Sequence, residues 1–244
     1  MKSPSPPYTH PARIDHDLRE LGYAIVHPDD LCTLAGLRHA DLDALLPSWQ
    51  HLEADAFLKD GGRYRHRRHA CFIQRGAELA LQPHRPHWQS VEYNALHGGM
   101  QRLFAPVEPA TLALPAWPRL LTALGNTVSR LRGEQPWYIE AHQFRIDTRD
   151  GIGRPTPEGA HRDGVDLVAV LLVGRHHIKG GETRVFAADG PAGQRFTMLE
   201  PWTLLLLDDS RVIHESTPIQ ATGPDGYRDT LVLTYRAGGF QGPA

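Results

Sequence analysis

The sequence predicts a mainly β protein, a barrel or double-sheet jelly roll with helices packed outside it. Three observations carry that expectation. After Gly133 the chain breaks into many short runs of β-branched and aromatic residues, each bounded by Gly, Pro or Asp, the punctuation of antiparallel β folds. Before Gly133, several apolar residues fall at helical spacing. The chain has 244 residues, 41% hydrophobic and 22% charged, an ordinary globular composition that a single large β domain can fill.

Taken in order, residues 1–11 are rich in Pro and Ser and predict a disordered tail ahead of one domain over residues 12–244. Ile14, Leu18 and Leu21 share a helix face, and Gly22 suits its C-terminal cap. Tyr23 to Val26 reads as a strand stopped by Pro28. Leu31 to Leu46 has helical spacing, with Asp29 or Asp30 as N-cap and Pro47 beyond its end. Asp60-Gly61-Gly62 is a turn. The basic, aromatic-interleaved run Arg63 to His69 has two readings, a solvated charged face or a lid over an anionic substrate group. Residues 82–110 read as loop with a strand or two, and Trp117 to Leu131 as a helix with Leu120, Leu121, Leu124, Val128 and Leu131 on one face.

Beyond Gly133, Trp137 to Asp147 predicts a strand and residues 148–159 a loop. Shorter strands follow at Asp166–Val173, Thr183–Phe186, Arg195–Leu199, Thr203–Leu207, Arg211–His214 and Thr230–Arg236. There is no internal repeat.

Composition excludes several function classes. A formal net charge of −2 gives no electrostatic footprint for nucleic acid or an acidic membrane. The central apolar run Leu167 to Val173 is too short to span a bilayer. Cys32 and Cys71 form neither a CxxC pair nor a zinc pattern, and the N-terminus lacks an apolar signal core, so a reducing cytoplasm is expected.

Fifteen histidines invite a search for metal ligands. His161 and Asp163 lie two residues apart, so on a strand both side chains reach one ion. His214 follows a later strand and turn and can supply a third ligand. Two histidines and one carboxylate make the facial triad of non-haem iron(II) enzymes, which leaves coordination positions open for substrate atoms and oxygen. Arg228 lies 14 positions after His214 and shares a strand face with Thr230; its planar fork suits a buried carboxylate. Each feature has a structural competitor: a hydrogen-bonded His–Asp pair, a half-buried strand histidine, a salt bridge from Arg228 to Asp225 or Asp229. Gly180-Gly181-Glu182 is read as a turn, and His176 and His177 as exposed, without a metal role. Gln143 and Arg145 share one strand face and are candidate substrate residues, with His142 and Phe144 on the other face.

The order HxD, distal His, Arg-x-Thr resembles the 2-oxoglutarate/iron(II) dioxygenases. The stretches Gln89–Asn94, Glu158–Asp166, Gly180–Thr183, His214–Ile219 and Gly226–Arg236 are similar to the bacterial subgroup containing free L-isoleucine and L-leucine hydroxylases. The resemblance covers roughly residues 20–236. It implies a double-stranded β-helix, a cupin-like jelly roll. It implies Fe(II) held by His161, Asp163 and His214, 2-oxoglutarate and O2 as co-substrates, and Arg228 on the distal carboxylate, to which the Thr230 hydroxyl on the same strand face can add a further bond. It further implies hydroxylation of a small substrate, a free L-amino acid or derivative. The alternatives are a non-catalytic barrel that binds a small ligand and a cupin-type iron enzyme independent of 2-oxoglutarate.

Overall fold

A computed structural model describes residues 4–243. In chain order its helices are α1 (Ile14–Glu20), α2 (Pro28–Ala35), α3 (His39–Asp43), α4 (Pro109–Leu112) and α5 (Ala116–Arg132). Its strands are β1 (Tyr23–Val26), β2 (Arg65–Arg75), β3 (Glu78–Leu81), β4 (Trp137–Asp147), β5 (Ile152–Gly153), β6 (Leu167–His176) and β7 (Ile178–Gly180). They continue with β8 (Thr183–Ala187), β9 (Gly193–Phe196), β10 (Leu204–Asp208), β11 (Val212–Ser216), β12 (Ile219–Ala221) and β13 (Tyr227–Arg236).

Seven strands form one antiparallel sheet in the order β1-β10-β6-β13-β4-β2-β3. Two three-stranded sheets, β11-β8-β9 and β5-β12-β7, complete the β structure. This is the mainly β, double-sheet architecture that the strand punctuation predicts. No helix among the described residues is long and apolar enough to cross a membrane.

Strand alternation gives the large sheet two faces with different chemistry. The outer face carries Ile139, Ala141, Leu167, Ala169, Leu171, Leu204, Leu206, Leu231, Leu233 and Tyr235, in one cluster with Leu120, Leu121, Leu124 and Val128 of α5. The helical stripe read from the sequence is thus the stripe that meets the sheet.

The inner face divides along its width. On β1, β10 and β6, Ile25, Leu205, Leu207, Val168 and Leu172 pack against Val185, Phe196 and Val212 of the facing sheet. On β13, β4 and β2 the inward residues are mostly polar. The registers Arg228↔Ile146, Thr230↔Phe144, Val232↔His142 and Thr234↔Glu140 set one flank; Arg65↔Ile146, Arg67↔Phe144, His69↔His142 and Cys71↔Glu140 set the other. One half of the face joins the sheets and the other half lines a cavity.

Three local expectations are corrected. The helix over Leu31–Leu46 is broken, because Gly36 adopts φ 62° and ends α2; α3 and a 3-10 turn at Leu46–His51 follow. Of the proposed disordered tail, residues 1–3 lie outside the described residues. The part beyond them is docked: Thr9 is buried, its N–H donates to Ile25 O at 2.7 Å, and its Oγ1 accepts from Ile25 N at 3.2 Å. The sheet-edge backbone at Ile25 recruits it. The basic run is neither a solvated face nor a lid. Residues from Arg65 onward begin the eleven-residue strand β2, with Arg65, Arg67 and His69 buried on the inner face.

Candidate active site

His161 sits beside β11 in an isolated antiparallel bridge with His214, and each backbone N–H donates to the other's carbonyl at 3.0 Å. Two residues on, Asp163 brings Oδ1 to 3.8 Å from His161 Nε2 and Oδ2 to 3.8 Å from His214 Nε2. The three ligand atoms lie within 4.8 Å of one another. His161 Nδ1 is 2.9 Å from Gly159 O. A carbonyl only accepts, so Nδ1 carries the proton and Nε2 keeps a lone pair toward the shared point, as a metal-ligating imidazole requires. His214 is buried; burial, then the neighbouring His161, pushes its pKa down to about 4, so it is neutral and able to ligate. The donor set therefore fits a divalent iron ion.

Two supports fix the HxD turn. The Asp209 carboxylate accepts from the backbone N–H groups of Asp163, Gly164 and Val165 at 2.7–3.1 Å. Gly164 adopts φ 76°, and a Cβ there would lie 2.4 Å from the Tyr93 ring, so both backbone and space demand glycine. The Asp163 side chain is aimed by Gln89, whose Nε2 donates to Oδ1 at 3.0 Å. Gln89 cannot flip, because its Oε1 already accepts from Asn94 Nδ2 and Arg102 Nη2.

A cavity of about 130 Å³ opens at the triad. Arg228 and Thr230 of β13 line it, as do Val170, Val232, Phe144 and Ile146. Arg228 is 4% exposed, yet its Nε and Nη2 find no hydrogen-bond partner among the described residues. Burial, then the adjacent Arg175, pushes its pKa down to about 10. A buried guanidinium with two idle donors fits a carboxylate, and 2-oxoglutarate carries one at each end. The competing reading, a salt bridge from Arg228 to Asp225 or Asp229, is not made among the described residues; Asp229 is taken by Arg145 at 2.7–2.8 Å.

Gln143 and Arg145 are not brought to the cavity, which corrects their expected role as substrate residues. They occupy the outward face of β4. Gln143 Nε2 donates to Ser48 Oγ at 2.7 Å, and Arg145 pairs with Asp229. The inward face is the alternative one, with Glu140, His142, Phe144 and Ile146.

Sequence reasoning missed the other ionisable lining residues: Arg65, Arg67, His87, Arg102 and Glu158. The basic run contained a signal for two of them, since Arg65 and Arg67 are spaced to share a strand face. His69, His87, Glu140 and His142 also bring their ligand atoms within 4.8 Å of one another, but their hydrogen bonds give them another role. Arg67 Nη2 lies 2.7 Å from His142 Nδ1; arginine only donates, so the His142 proton sits on Nε2 and no lone pair remains there for a metal. His87 Nδ1 donates to Glu140 Oε2 at 2.8 Å. The network holds Arg67, which stacks on Phe104 at 3.6 Å and Phe144 at 4.4 Å.

A double-sheet β fold with an open two-histidine, one-carboxylate centre defines the class of non-haem iron oxygenases. Within that class, the sequence model of the 2OG-Fe dioxygenases matches residues 46–234, and this chain belongs to that family. It is therefore an oxygenase that uses Fe(II), 2-oxoglutarate and O2, which removes the non-catalytic barrel and the 2-oxoglutarate-independent alternatives. It is 53% identical to a bsmA homolog from Methylobium petroleophilum PM1 over 100% of both chains, with a TM-score of 0.94. The fold is also similar to IDO from Bacillus thuringiensis, at 18% identity and TM-score 0.77, over 96% of this chain and 100% of that one. It resembles the Fe(II)/α-ketoglutarate-dependent dioxygenase TqaL at 18% identity and TM-score 0.71, over 93% of this chain and 86% of that one. The double-stranded β-helix expected from the sequence is the fold of these oxygenases. No curated protein matches the sequence.

Proposed function

We propose that this oxygenase hydroxylates a small substrate, a free amino acid or close derivative, with His161, Asp163 and His214 holding iron and Arg228 with Thr230 holding 2-oxoglutarate. The observation that carries the reading is the placement of Arg228. Its unpaired N–H groups lie in the same cavity as the triad, the arrangement needed by a dicarboxylate that meets metal at one end and protein at the other. When bound, iron(II) and 2-oxoglutarate would supply the oxidising chemistry: 2-oxoglutarate would lose CO2, one atom of O2 would leave in the succinate formed and the other would become the product hydroxyl. The protein's part is placement. Gly159 and Gln89 fix the directions of His161 and Asp163. The Arg228 fork and the Thr230 hydroxyl orient the distal carboxylate. Val170, Val232, Phe144 and Ile146 keep water from the cavity walls.

The test is co-substrate dependence. Protein freed of bound 2-oxoglutarate is supplied with Fe(II), oxygen and candidate amino acids, and succinate and hydroxylated product are measured together. The two should rise in step, and neither should form without 2-oxoglutarate. Equal product formation in its absence would overturn the reading.

A further inference from the structure

Among the described residues, two charged side chains that line the cavity, Arg102 and Glu158, make no hydrogen bond to an opposite charge. Among the groups that line it, Asp163 faces the metal position and Arg228 faces the co-substrate. Arg65 is neutralised by Asp55, Nε to Oδ2 at 2.7 Å. Arg67 lies 3.9 Å from the same carboxylate and is tied to the Glu140 network through His142. Arg102 and Glu158 remain. Arg102 is 2% exposed and forms no ion pair among the described residues; its Nη2 donates to Gln89, and its Nε has no partner. Burial, then the charge of Arg65, pushes its pKa down to about 10. Among the described residues, Glu158 Oε2 is buried without a hydrogen-bond partner, and Oε1 has only His161 Nε2, 3.6 Å away, the nitrogen that faces the metal position.

Arg102 feels the charges of Asp55, Glu158 and Glu140, but the idle Arg102 Nε and Glu158 Oε2, both on residues that line the cavity, fit a ligand carrying the opposite pair. We infer that Glu158 receives a substrate ammonium and Arg102, with the idle Nη2 of Arg65, receives a substrate carboxylate. The substrate is then an α-amino acid with both ionised groups free. A zwitterion leaves the net charge of the cavity unchanged, satisfies the buried Oε2 and N–H groups together, and relieves the repulsion between Arg65 and Arg102. N-acylated, amidated, peptide-bound or carrier-bound amino acids lack one pole and leave a buried charge unpaired, which is the kind of mismatch that discriminates strongly. Both poles sit beside the triad. Arg102 connects through Gln89 to Asp163, and Glu158 abuts His161, so the substrate headgroup rather than a remote tail is what this wall selects.

This inference rests on the iron and 2-oxoglutarate reading, and the experiment separates the two. Wild-type protein is loaded with Fe(II) and 2-oxoglutarate without oxygen, and the weak metal-to-ligand absorption band is recorded. The twenty free L-amino acids are then titrated in, followed by the N-acetyl and carboxamide forms of whichever perturbs the band most. Succinate formation is measured on the same set in air. Free amino acids should perturb the band and stimulate succinate formation, and either blocked form should be weaker by roughly ten- to hundredfold. Glu158→Gln, which keeps the shape, should raise KM for the free amino acid by a similar factor, leave KM for 2-oxoglutarate unchanged, and narrow the preference over the N-acetyl form. Absence of the band would sink the underlying reading. A normal band with no response to any amino acid, equal response to blocked forms, or an unaltered KM in Glu158→Gln would overturn this proposal alone.

Discussion

Replacing Arg228 by Met should make the empty protein more stable while weakening its hold on 2-oxoglutarate. Arg228 is 4% exposed, and two of its nitrogens have no hydrogen-bond partner among the described residues. Each unsatisfied buried donor costs about 1–3 kcal/mol. The neighbouring Asp229 offsets part of that, because the pKa of Arg228 still benefits from it after burial and Arg175 have lowered it. Met fills a similar volume and needs no partner, so the variant without ligand should gain about 1–3 kcal/mol. For a chain of this size each kcal/mol moves Tm by roughly 2–4 °C. In the presence of 2-oxoglutarate the order reverses, since the wild type regains its charge-assisted bonds, worth about 1.5–3 kcal/mol each, or roughly ten- to hundredfold in affinity per bond. Thermal unfolding with Mn(II), without and with 2-oxoglutarate under nitrogen, reads both effects in one experiment. A variant that is less stable when empty, yet gains the same Tm increment from 2-oxoglutarate as the wild type, would refute the assignment of Arg228 as the co-substrate anchor.

Other consequences are accessible to standard measurements. His161→Ala, Asp163→Ala and His214→Ala should each abolish Fe(II) or Mn(II) binding in anaerobic calorimetry with the fold retained, and wild-type affinity in all three would exclude the site. Gln89→Leu should keep the ligands but weaken metal binding by about ten- to hundredfold, because Asp163 loses the donor that aims it; unaltered affinity would show that the Asp209 clamp suffices. His69 is buried with its pKa pushed down to about 4, by burial above all, against an ordinary value near 6.5. Between those values the unfolded chain binds the proton and the folded chain does not, so stability is lost as pH falls from about 6.5 toward 4. Chemical unfolding across that window should show a shallower slope in His69→Leu, and an unchanged slope would assign the pH dependence elsewhere.

The parts of the site that could be read from sequence are those in which neighbours along the chain become neighbours in space. His161 and Asp163 are two apart on an extended segment, and Arg228 and Thr230 share a strand face, so alternation alone joined each pair. Helix α5 was legible because its stripe of leucines has one partner, the outer sheet face. The inner wall was not legible. Gln143 and Arg145 were weighed against His142 and Phe144 with no local signal to choose between the two faces of β4; the choice is made by pairing with Arg67 and Thr230, residues far away in sequence. The basic run was misjudged for a related reason. Charge density suggests solvent, but Arg65 and Arg67 are buried by Asp55, His142 and two aromatic rings contributed by other segments. Glu158 and Arg102 carry no spacing signature, and only the cavity that both line joins them.

The paired backbone hydrogen bonds between His161 and His214 bear on how metal enters and leaves. In small metal-folded domains the ligands are scattered until the ion gathers them, so removing the ion unfolds the chain. Here the two imidazoles are joined through their own main chains, and the aspartate between them is pinned from a neighbouring turn. Little ordering is left for the ion to bring about. Metal exchange at the proposed centre should accordingly be a docking event into a preformed socket. Chelation should yield a folded, reloadable apoprotein, and one metal can be swapped for another without the β framework being rebuilt.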